Sequence, residues 1–211
     1  MFSLLAGLWR LLFQKTEHFV LIIGCDGAGK TTLMEQAKRI FSNQSKKEDE
    51  NDNDLDGIGP TVGLNIGKID QGKVRLVVWD LGGQSGLRFM WDRYYSECDG
   101  VVFVVDSAES SRFDEAKKEI QQAAGHTQLH EVPLLVLANK QDLTEALPAE
   151  TVEGAVIDMG VKSGRKFLVQ GVSALKGTGV KMGLEWLGEQ NRAGGGGEEG
   201  RRRKGRDTQK K

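Results

Sequence analysis

A glycine-rich segment is the first feature of this chain that could do chemistry. It follows the apolar run Phe19–Ile23, reads GCDGAGKTT over residues 24–32, and fits the pattern G-x-x-x-x-G-K-[ST]. Glycines let successive backbone N–H groups face one anion, and a helix that begins here would present its positive N-terminus to the same anion. Lys30 is then placed to reach the β- and γ-phosphates, and the Thr31 hydroxyl to ligate Mg²⁺.

This segment predicts a nucleoside triphosphate site. The alternative is a glycine-rich turn that matches by accident. Because Gly makes up only about 7% of ordinary sequence, a chance match in a chain of this length is on the order of one per cent. The predicted phosphate-binding residues are Gly24, Asp26, Gly27, Ala28, Gly29, Lys30, Thr31 and Thr32.

A second motif, Asn139-Lys140-Gln141-Asp142, predicts which base is bound. Guanine presents two adjacent donors, and the carboxylate of Asp142 can accept both, with Asn139 and Lys140 bracing the loop. Adenine presents an acceptor beside its amine, so the same carboxylate would be left unmet. The motif alone is weak because its residues are common in turns, but its place after the apolar strand Leu134–Ala138 strengthens it. A backbone contact to the base is expected from Ser173, Ala174 and Leu175.

Two further segments are typical of a γ-phosphate sensor. In Asp80-Leu81-Gly82-Gly83-Gln84, Asp80 is placed to hold Mg²⁺ through a water, the Gly83 N–H to donate to the γ-phosphate, and Gln84 to orient an attacking water. Upstream, Thr61 would bring a second hydroxyl to the Mg²⁺. The alternative is a strand that ends in a loose turn. The predicted catalytic residues are Gln84, Lys30 and Thr61, and the predicted metal site is Thr31, Thr61 and Asp80 through water.

Short β-branched runs alternate with helical patterns from His18 onward, which predicts an α/β fold with a six-stranded, mostly parallel sheet and helices on both faces. The predicted strands are Phe19–Gly24, Val62–Ile69, Arg75–Asp80, Val101–Asp106, Leu134–Asn139 and Phe167–Val172. The predicted helices are Lys30–Phe41, Leu87–Glu97, Ser110–Ala123, Ala149–Met159 and Gly179–Gln190. The turn signal Asp70-Gln71-Gly72-Lys73 makes the second and third strands an antiparallel hairpin.

Composition excludes several classes of protein. The formal net charge of the 211 residues is −1, so no overall field favours nucleic acid or membrane. Cys25 and Cys98 are too few for a secreted disulfide framework, which favours a reducing compartment. No apolar run reaches the roughly 18–20 residues of a membrane-spanning helix, and the N-terminus lacks the basic region and cleavage site of a signal peptide.

Changes of composition divide the chain into parts. Residues 1–16 are predicted as an amphipathic helix, 17–192 as the nucleotide-binding domain, and 193–211 as a disordered, Gly-rich basic tail. Within the domain, residues 43–57 form an acidic insertion that is poor in apolar side chains and expected to be mobile.

The N-terminal segment has one narrow polar stripe when it is drawn as a helix at about 100° per residue. Ser3, Gly7, Arg10 and Gln14 form the stripe, and the other side chains form a wide apolar face suited to a bilayer surface. The alternative is a helix packed permanently on the core. The predicted membrane residues are Phe2, Leu5, Leu8, Trp9, Leu12 and Phe13.

Together the motifs resemble those of the ADP-ribosylation factor branch of small GTPases, most of all its factor-related subfamily of the Golgi. The matching segments are residues 24–31, Pro60–Asn65, Trp79–Gln84 and Asn139–Asp142, and the sequence W-D-L-G-G-Q is specific for this branch. The resemblance implies a Ras-like P-loop GTPase, a monomer that binds GTP or GDP with Mg²⁺ and hydrolyses GTP slowly without an activating protein. It also implies an exchange factor and effectors as partners.

The resemblance assigns further roles to single residues. Leu64, Trp79 and Tyr94 match an exposed apolar cluster that effectors recognise, with Leu64 in place of the Phe of the factors proper. Asp26 occupies a position where relatives that hydrolyse GTP faster carry Gly. The resemblance also implies that the hairpin Val62–Asp80 slides in register when GTP binds and expels the N-terminal helix.

The expected location is the cytosol and the cytosolic face of the trans-Golgi, according to nucleotide state. A membrane receptor and reversible membrane contact are implied as well. Phe2 stands where N-myristoylation needs Gly, so that modification is excluded.

The expected function is a GTP-hydrolysing switch that recruits effectors to Golgi membranes in vesicle trafficking. The alternative is a guanine-nucleotide-binding scaffold that does not turn over; intact Gln84, Thr61 and Thr31 favour the switch. A kinase or ATPase is disfavoured by Asp142. Nucleic-acid binding through Arg201–Lys211 rests on charge alone.

Overall fold

A six-stranded sheet is the centre of the computed structural model, which describes residues 15–42, 55 and 57–193. The strand order is β2-β3-β1-β4-β5-β6. The strands are β1 (Thr16–Ile23), β2 (Leu64–Gln71), β3 (Val74–Leu81), β4 (Gly100–Asp106), β5 (Leu134–Asn139) and β6 (Phe167–Gly171). The β2–β3 pair is antiparallel and the other neighbouring pairs are parallel. The predicted mixed sheet and its hairpin are therefore confirmed.

Helices connect the strands. They are α1 (Lys30–Phe41), α2 (Asp92–Tyr95), α3 (Phe113–Ala124), α4 (Ala149–Val156), α5 (Met159–Lys162) and α6 (Val180–Ala193). Short 3₁₀ turns lie at Ser85–Met90, Ser110–Arg112 and Thr127–Leu129. The bounds of α1 are those that the sequence predicts. In the described part of the chain, no helix is both long and apolar enough to cross a membrane.

The prediction of a single helix over Leu87–Glu97 is wrong. A 3₁₀ turn, Ser85–Met90, leads into α2, and its backbone bonds run from residue i to residue i+3. One of them joins the Trp91 N–H to the Arg88 carbonyl at 3.0 Å. This tighter winding brings the Trp91 indole N–H to the carbonyl oxygen of Gly82, at 3.1 Å.

The predicted helix Ala149–Met159 ends too late. The α4 helix stops at Val156 because Ile157 takes an extended conformation, with φ −115° and ψ 129°. Asp158 then begins α5, since its carboxylate accepts a hydrogen bond from the Val161 N–H at 3.0 Å. This is the N-cap contact that separates two short helices.

The core lies on both faces of the sheet, as the apolar runs of parallel strands predict. On one face, Leu21, Phe103 and Val136 pack with side chains of α3 and α4. On the other face, Val20 and Val102 pack with side chains of α1 and α6. Helices therefore cover both faces, and the edge formed by the carboxyl ends of the parallel strands is left for a ligand.

Some predicted boundaries need correction. Thr16 pairs with Val74 as the first residue of β1, so the predicted N-terminal helix does not extend to it. Ala193 is the last residue of α6, so this residue belongs to the helix and not to the predicted tail. The rest of the N-terminal helix, including all six predicted membrane residues, most of the acidic insertion and the tail lie outside the described residues.

We expect Phe103→Ala to lower the free energy of unfolding by about 3–5 kcal/mol, because the ring is completely buried between the sheet and the helices. Phe89→Ala removes the same ring from a site that is 63% exposed, and should change the free energy by about 0.5 kcal/mol or less. Urea unfolding followed by circular dichroism measures both, with nucleotide at a fixed concentration because a bound ligand adds stability. Equal losses for the two variants would contradict the assigned core.

Candidate nucleotide site

The loop between β1 and α1 lies at the carboxyl end of the sheet. Gly24 has φ 142°, and a Cβ on it would overlap the carbonyl oxygen of Val104 in β4. Gly29 precedes α1 with φ 91°, and a Cβ on it would overlap the Asn139 side-chain amide. Only glycine allows this backbone and this close packing at both positions. The N-terminus of α1 consequently opens onto the loop, as an anion site requires.

Lys30 is the first residue of α1 and is buried beneath the loop. Its Nζ donates to the carbonyl oxygens of Gly24, at 2.9 Å, and Cys25, at 2.8 Å. Burial lowers the pKa of Lys30 to about 8, while the charge of Asp80 acts in the opposite direction. The loop therefore holds an ammonium group at the floor of the site, where it can contact phosphate oxygens.

Three oxygen-bearing side chains converge beside Lys30. The Thr31 hydroxyl donates to Asp80 Oδ2 at 2.7 Å, and its Oγ1 lies 2.5 Å from Thr61 Oγ1. Thr61 Oγ1 is also 3.4 Å from Asp80 Oδ2. Thr31 is in α1, Asp80 is in β3, and Thr61 precedes β2, so the cluster joins the phosphate loop to the hairpin.

This cluster fits a magnesium ion, which prefers oxygen ligands. Asp80 is fully buried, which raises its pKa, and its Oδ1 has no hydrogen-bond partner among the described residues. A buried carboxylate oxygen of that kind is costly unless a cation or its water meets it. The described residues contain no cluster of three or more His, Cys, Asp or Glu that could hold a metal ion. A cation here would therefore rely on Thr31, Thr61, Asp80 and phosphate oxygens.

Gly83 lies directly against the phosphate loop. A Cβ on it would overlap Lys30 Nζ and would lie 2.5 Å from the Gly24 carbonyl oxygen, so no larger residue fits. Its carbonyl oxygen accepts a hydrogen bond from Arg88 Nε at 2.7 Å. Gln84 follows it, is exposed, and faces the cavity at the start of the 3₁₀ turn.

The base-binding segments meet at Asn139, the last residue of β5. Its Nδ2 donates to the Ala28 carbonyl at 2.7 Å, and its Oδ1 accepts from the Ala174 N–H at 2.8 Å. Lys140 has a left-handed backbone, with φ 66°, and its Nζ pairs with Asp106 Oδ2 at 2.5 Å. Such a φ is uncommon outside glycine and marks a constrained position.

Asp142 is held by the segment after β6. The Ser173 hydroxyl donates to Asp142 Oδ1 at 2.5 Å, and Ser173 Oγ accepts from the Lys176 N–H at 3.0 Å. The carboxylate is exposed at the mouth of the site, so it can accept donors from a ligand.

These groups surround one cavity of about 420 Å³, a size typical of small-molecule sites. Most of the predicted residues line it: Asp26, Gly27, Gly29, Lys30, Thr31, Thr32, Thr61, Gly83, Gln84, Asn139, Lys140, Asp142, Ala174 and Leu175. The other predicted residues do not line the cavity and instead support those that do: Gly24, Ala28, Asp80 and Ser173.

Five lining residues were not predicted as site residues from the sequence: Leu55, Ile58, Gly59, Pro60 and Leu143. Leu55 is buried, although the segment to which it belongs is predicted to be polar and mobile. Leu55 is the one apolar residue of the acidic insertion, and a single apolar side chain in a polar segment is the sequence feature that could have indicated burial here. Leu143 follows the predicted base-binding residue Asp142 directly, so its place in the sequence alone could have indicated that it lines the site.

The predicted effector cluster is only partly exposed. Leu64 is 37% exposed, but Trp79 is buried because it packs against Phe19, at 5.0 Å between ring centroids, and against Tyr94, at 5.4 Å. The prediction of an exposed Trp79 is therefore corrected. Ile66 lies opposite Trp79 on β2 and is itself well exposed, so the apolar surface continues along that edge strand.

Comparisons with known proteins agree with this geometry. A sequence model of the ADP-ribosylation factor family matches residues 5–191. The ADP-ribosylation factor-related protein 1 of Rattus norvegicus is 46% identical over 188 residues, which cover 89% of this chain and 91% of that relative. The protein of the same name from Homo sapiens gives the same values. The ADP-ribosylation factor-like protein 3 of Saccharomyces cerevisiae is 38% identical over 189 residues, 89% of this chain and 92% of that relative.

A solved structure is also similar to this fold. It is the structure of the Arl6 BBS3 small GTPase from Trypanosoma brucei with the bound nucleotide analogue GppNp. The TM-score is 0.73 and the identity 32%, and the match covers 84% of this chain and 99% of that one. The predicted family and fold class are confirmed by these matches.

The buried Lys30 predicts how nucleotide affinity depends on pH. Because burial lowers the pKa of Lys30 to about 8, the free site loses its ammonium charge as the pH rises through that value. Phosphates would raise the pKa again, so binding takes up a proton above this pH, and affinity for GDP should fall between about pH 7.5 and 9.

Calorimetry in two buffers of different ionisation enthalpy, across this pH range, measures both the affinity and the proton uptake. Lys30→Met lacks the titrating group, so it should bind more weakly and with no proton uptake from this site. If the GDP affinity of both proteins changed with pH in the same way, a group other than Lys30 would be responsible for the pH dependence.

Proposed function

This chain belongs to the ADP-ribosylation factor family of small GTPases, and we propose that it couples its nucleotide cycle to association with Golgi membranes. Members of this family bind guanine nucleotide and hydrolyse GTP, so the chain is a GTP-binding switch. The observation that carries the proposal is the contact of Thr61 with Thr31 and Asp80. It joins the nucleotide site to the segment that leads directly into the β2–β3 hairpin.

In the proposed cycle, Lys30 binds the β- and γ-phosphates, and Thr31, Thr61 and Asp80 hold Mg²⁺. The magnesium ion, when bound, neutralises charge that develops on the transferred phosphoryl group. The Gly83 N–H donates to the γ-phosphate, and the exposed Gln84 orients the attacking water. Loss of the γ-phosphate removes the partner of the Gly83 N–H and one set of oxygens from the magnesium ion that Thr61 would hold.

Asp142 is proposed as the group that selects guanine. Ser173 donates to its Oδ1, which keeps the carboxylate oriented at the cavity mouth. Asn139 holds the phosphate loop and the Ala174 segment at a fixed separation, so the base and the phosphates are positioned by one framework.

Asp142→Asn should exchange guanine for xanthine, because an amide can donate where xanthine carries a carbonyl in place of the exocyclic amine of guanine. We expect the preference for GDP over xanthosine diphosphate to fall by at least about 100-fold. Competition against a fluorescent nucleotide measures it. Asp114→Asn makes the same change on the exposed side of α3 and should keep the guanine preference. A guanine preference retained by Asp142→Asn would remove Asp142 from the base site.

The hairpin is proposed to transmit the nucleotide state. The Gly82 N–H, next to the γ-phosphate sensor Gly83, donates to the Gly63 carbonyl oxygen at 3.1 Å, immediately before β2. Thr61 and the sensor therefore act on the same end of the hairpin. The proposal is that binding of the γ-phosphate draws this end toward the site and shifts the hairpin along β1.

Membrane association is proposed to come from the N-terminal segment, which lies outside the described residues. Its apolar face is costly to leave in water, so one nucleotide state should cover it and the other should release it. An amphipathic helix without an acyl chain gives reversible binding, so a receptor on the Golgi membrane is proposed as a second signal. An exchange factor, an activating protein and effectors in vesicle trafficking complete the proposed cycle.

Flotation with Golgi-derived membranes tests this coupling. The full chain loaded with a non-hydrolysable GTP analogue should float, and the chain loaded with GDP should remain largely soluble. Leu5→Glu with Leu12→Glu should abolish flotation in both nucleotide states while the chain still binds nucleotide, since the changes lie on the apolar face.

The matched control is Ser3→Glu with Gln14→Glu, which adds the same charges to the polar stripe and should float as the wild type does. Equal flotation in the two nucleotide states, or unchanged flotation of the Leu5 and Leu12 variant, would rule out a nucleotide-gated membrane helix.

A further inference from the structure

Arg88 holds the γ-phosphate sensor from behind. Its Nε donates to the Gly83 carbonyl at 2.7 Å, and its guanidinium lies over the Trp91 ring, 6.0 Å from the centroid. Trp91 in turn donates from its indole N–H to the Gly82 carbonyl, in the peptide whose N–H belongs to Gly83. Both peptides that flank Gly83 are therefore oriented by side chains on the side away from the cavity.

Arg112 holds the phosphate loop in a similar way. Its Nη1 donates to the Asp26 carbonyl at 2.8 Å, and its Nη2 to Asp26 Oδ1 at 2.7 Å. The hydrogen bond to Arg112 lowers the pKa of Asp26, so its carboxylate stays ionised. Asp26 lines the cavity, where a free negative charge would repel the phosphates. Its pairing with Arg112 draws that charge away from them.

Glu115, on α3, connects the two arginines. Its Oε1 accepts from Arg88 Nη2 at 2.6 Å, and its Oε2 accepts from Arg112 Nε at 2.8 Å. The hydrogen bonds from Arg112 and Arg88 lower the pKa of Glu115 to about 2. The guanidinium of Arg88 is largely buried, so this bridge is less screened than a pair on an open surface.

We propose that Glu115 is a positioning residue for GTP, because its carboxylate keeps Arg112 on Asp26 and Arg88 on Gly83. The phosphate loop and the γ-phosphate sensor are then held at a fixed separation through α3. This inference rests on the proposed contact of the Gly83 N–H with the γ-phosphate. GDP has no γ-phosphate, so the bridge should matter for GTP and little for GDP.

Asp26 Oδ1 also lies 3.6 Å from Arg88 Nη2, so the carboxylate of the phosphate loop is near both arginines. The other glutamates nearby do not connect the two. Glu119 accepts from Arg88 at 3.0 Å, and Glu109 lies 3.9 Å from Arg112. Each is paired with one of the two arginines. Of these three glutamates only Glu115 contacts both arginines, which makes it the position to test.

The test is Glu115→Gln in the full chain, which keeps the shape of the side chain but places an amide N–H₂ against one guanidinium. We expect the affinity for a non-hydrolysable GTP analogue, relative to GDP, to fall by about tenfold, with GDP affinity within about twofold of the wild type. Glu109→Gln removes the same charge from a glutamate that lies 3.9 Å from Arg112 and does not contact Arg88, and it should leave this ratio within about twofold.

A rescue separates positioning from general structural damage. With Arg112 released, the Asp26 charge is free to repel the γ-phosphate. Adding Asp26→Asn to Glu115→Gln should therefore raise the affinity for the GTP analogue relative to GDP at least about threefold above that of Glu115→Gln alone. The idea is overturned if GTP and GDP affinities fall equally, if neither changes, or if Asp26→Asn restores nothing.

Gly83→Ala separates this inference from the proposal on which it rests. Its Cβ would overlap Lys30 Nζ and displace the sensor. If this variant keeps the wild-type affinity for the GTP analogue relative to GDP, the proposed Gly83 contact is wrong. If Gly83→Ala lowers this relative affinity while Glu115→Gln leaves it unchanged, the Gly83 contact stands and only the proposed role of Glu115 is wrong. Should Glu115→Gln fail to fold, Arg112→Lys is measured in its place. A lysine ammonium cannot contact Asp26 and Glu115 together as the planar guanidinium does. The affinity ratio and the Asp26→Asn rescue are then judged by the same outcomes.

Discussion

The side-chain amide of Asn139 is the contact on which the nucleotide site depends. It donates to the Ala28 carbonyl on one side and accepts from the Ala174 N–H on the other, so two separate loops are fixed to the end of β5. The residue is buried, and loss of either bond would leave a polar group without a partner at a cost of about 1–3 kcal/mol. Gly29 packs against the same amide, which explains why the loop needs glycine at the start of α1. Phosphate binding and base binding are consequently parts of one rigid framework.

Lys30 shows how this framework is prepared for an anion. Its ammonium group is taken out of water, and only two backbone carbonyls of the loop satisfy it directly. Burial lowers the pKa of Lys30 because these carbonyls do not replace all the water that the ammonium group loses. The charge of the nearby Asp80 carboxylate opposes this shift without cancelling it, and phosphate oxygens would supply the missing countercharge. A site that is electrostatically incomplete by itself favours the ligand that completes it.

The nucleotide-binding motifs could be predicted from the sequence because their functional groups lie in short, contiguous segments. The phosphate loop with α1, the Asn139–Asp142 segment and strand β5 follow from glycine spacing and apolar runs, and the structure places them as predicted. What the sequence could not predict depends on distant partners. Arg88 and Glu115 are charged residues on helical segments and look like solvated surface, yet 27 positions apart they meet at the site. The family resemblance predicts an exposed Trp79, but Phe19 and Tyr94 cover its ring.

The sheet restricts how the proposed switch can move. Strand β2 is an edge strand, whereas β3 pairs with β1 from Thr16 to Ile22 and is buried on both faces. Side chains alternate between the faces of a strand, so a shift of one residue would turn the face that carries Leu76 and Val78 from one core to the other. A shift of two residues keeps every side chain on its own face and replaces one set of backbone bonds by an equivalent set. A hairpin that slides along β1 must therefore move by an even number of residues, and the two positions are discrete states that a single phosphate contact can select between.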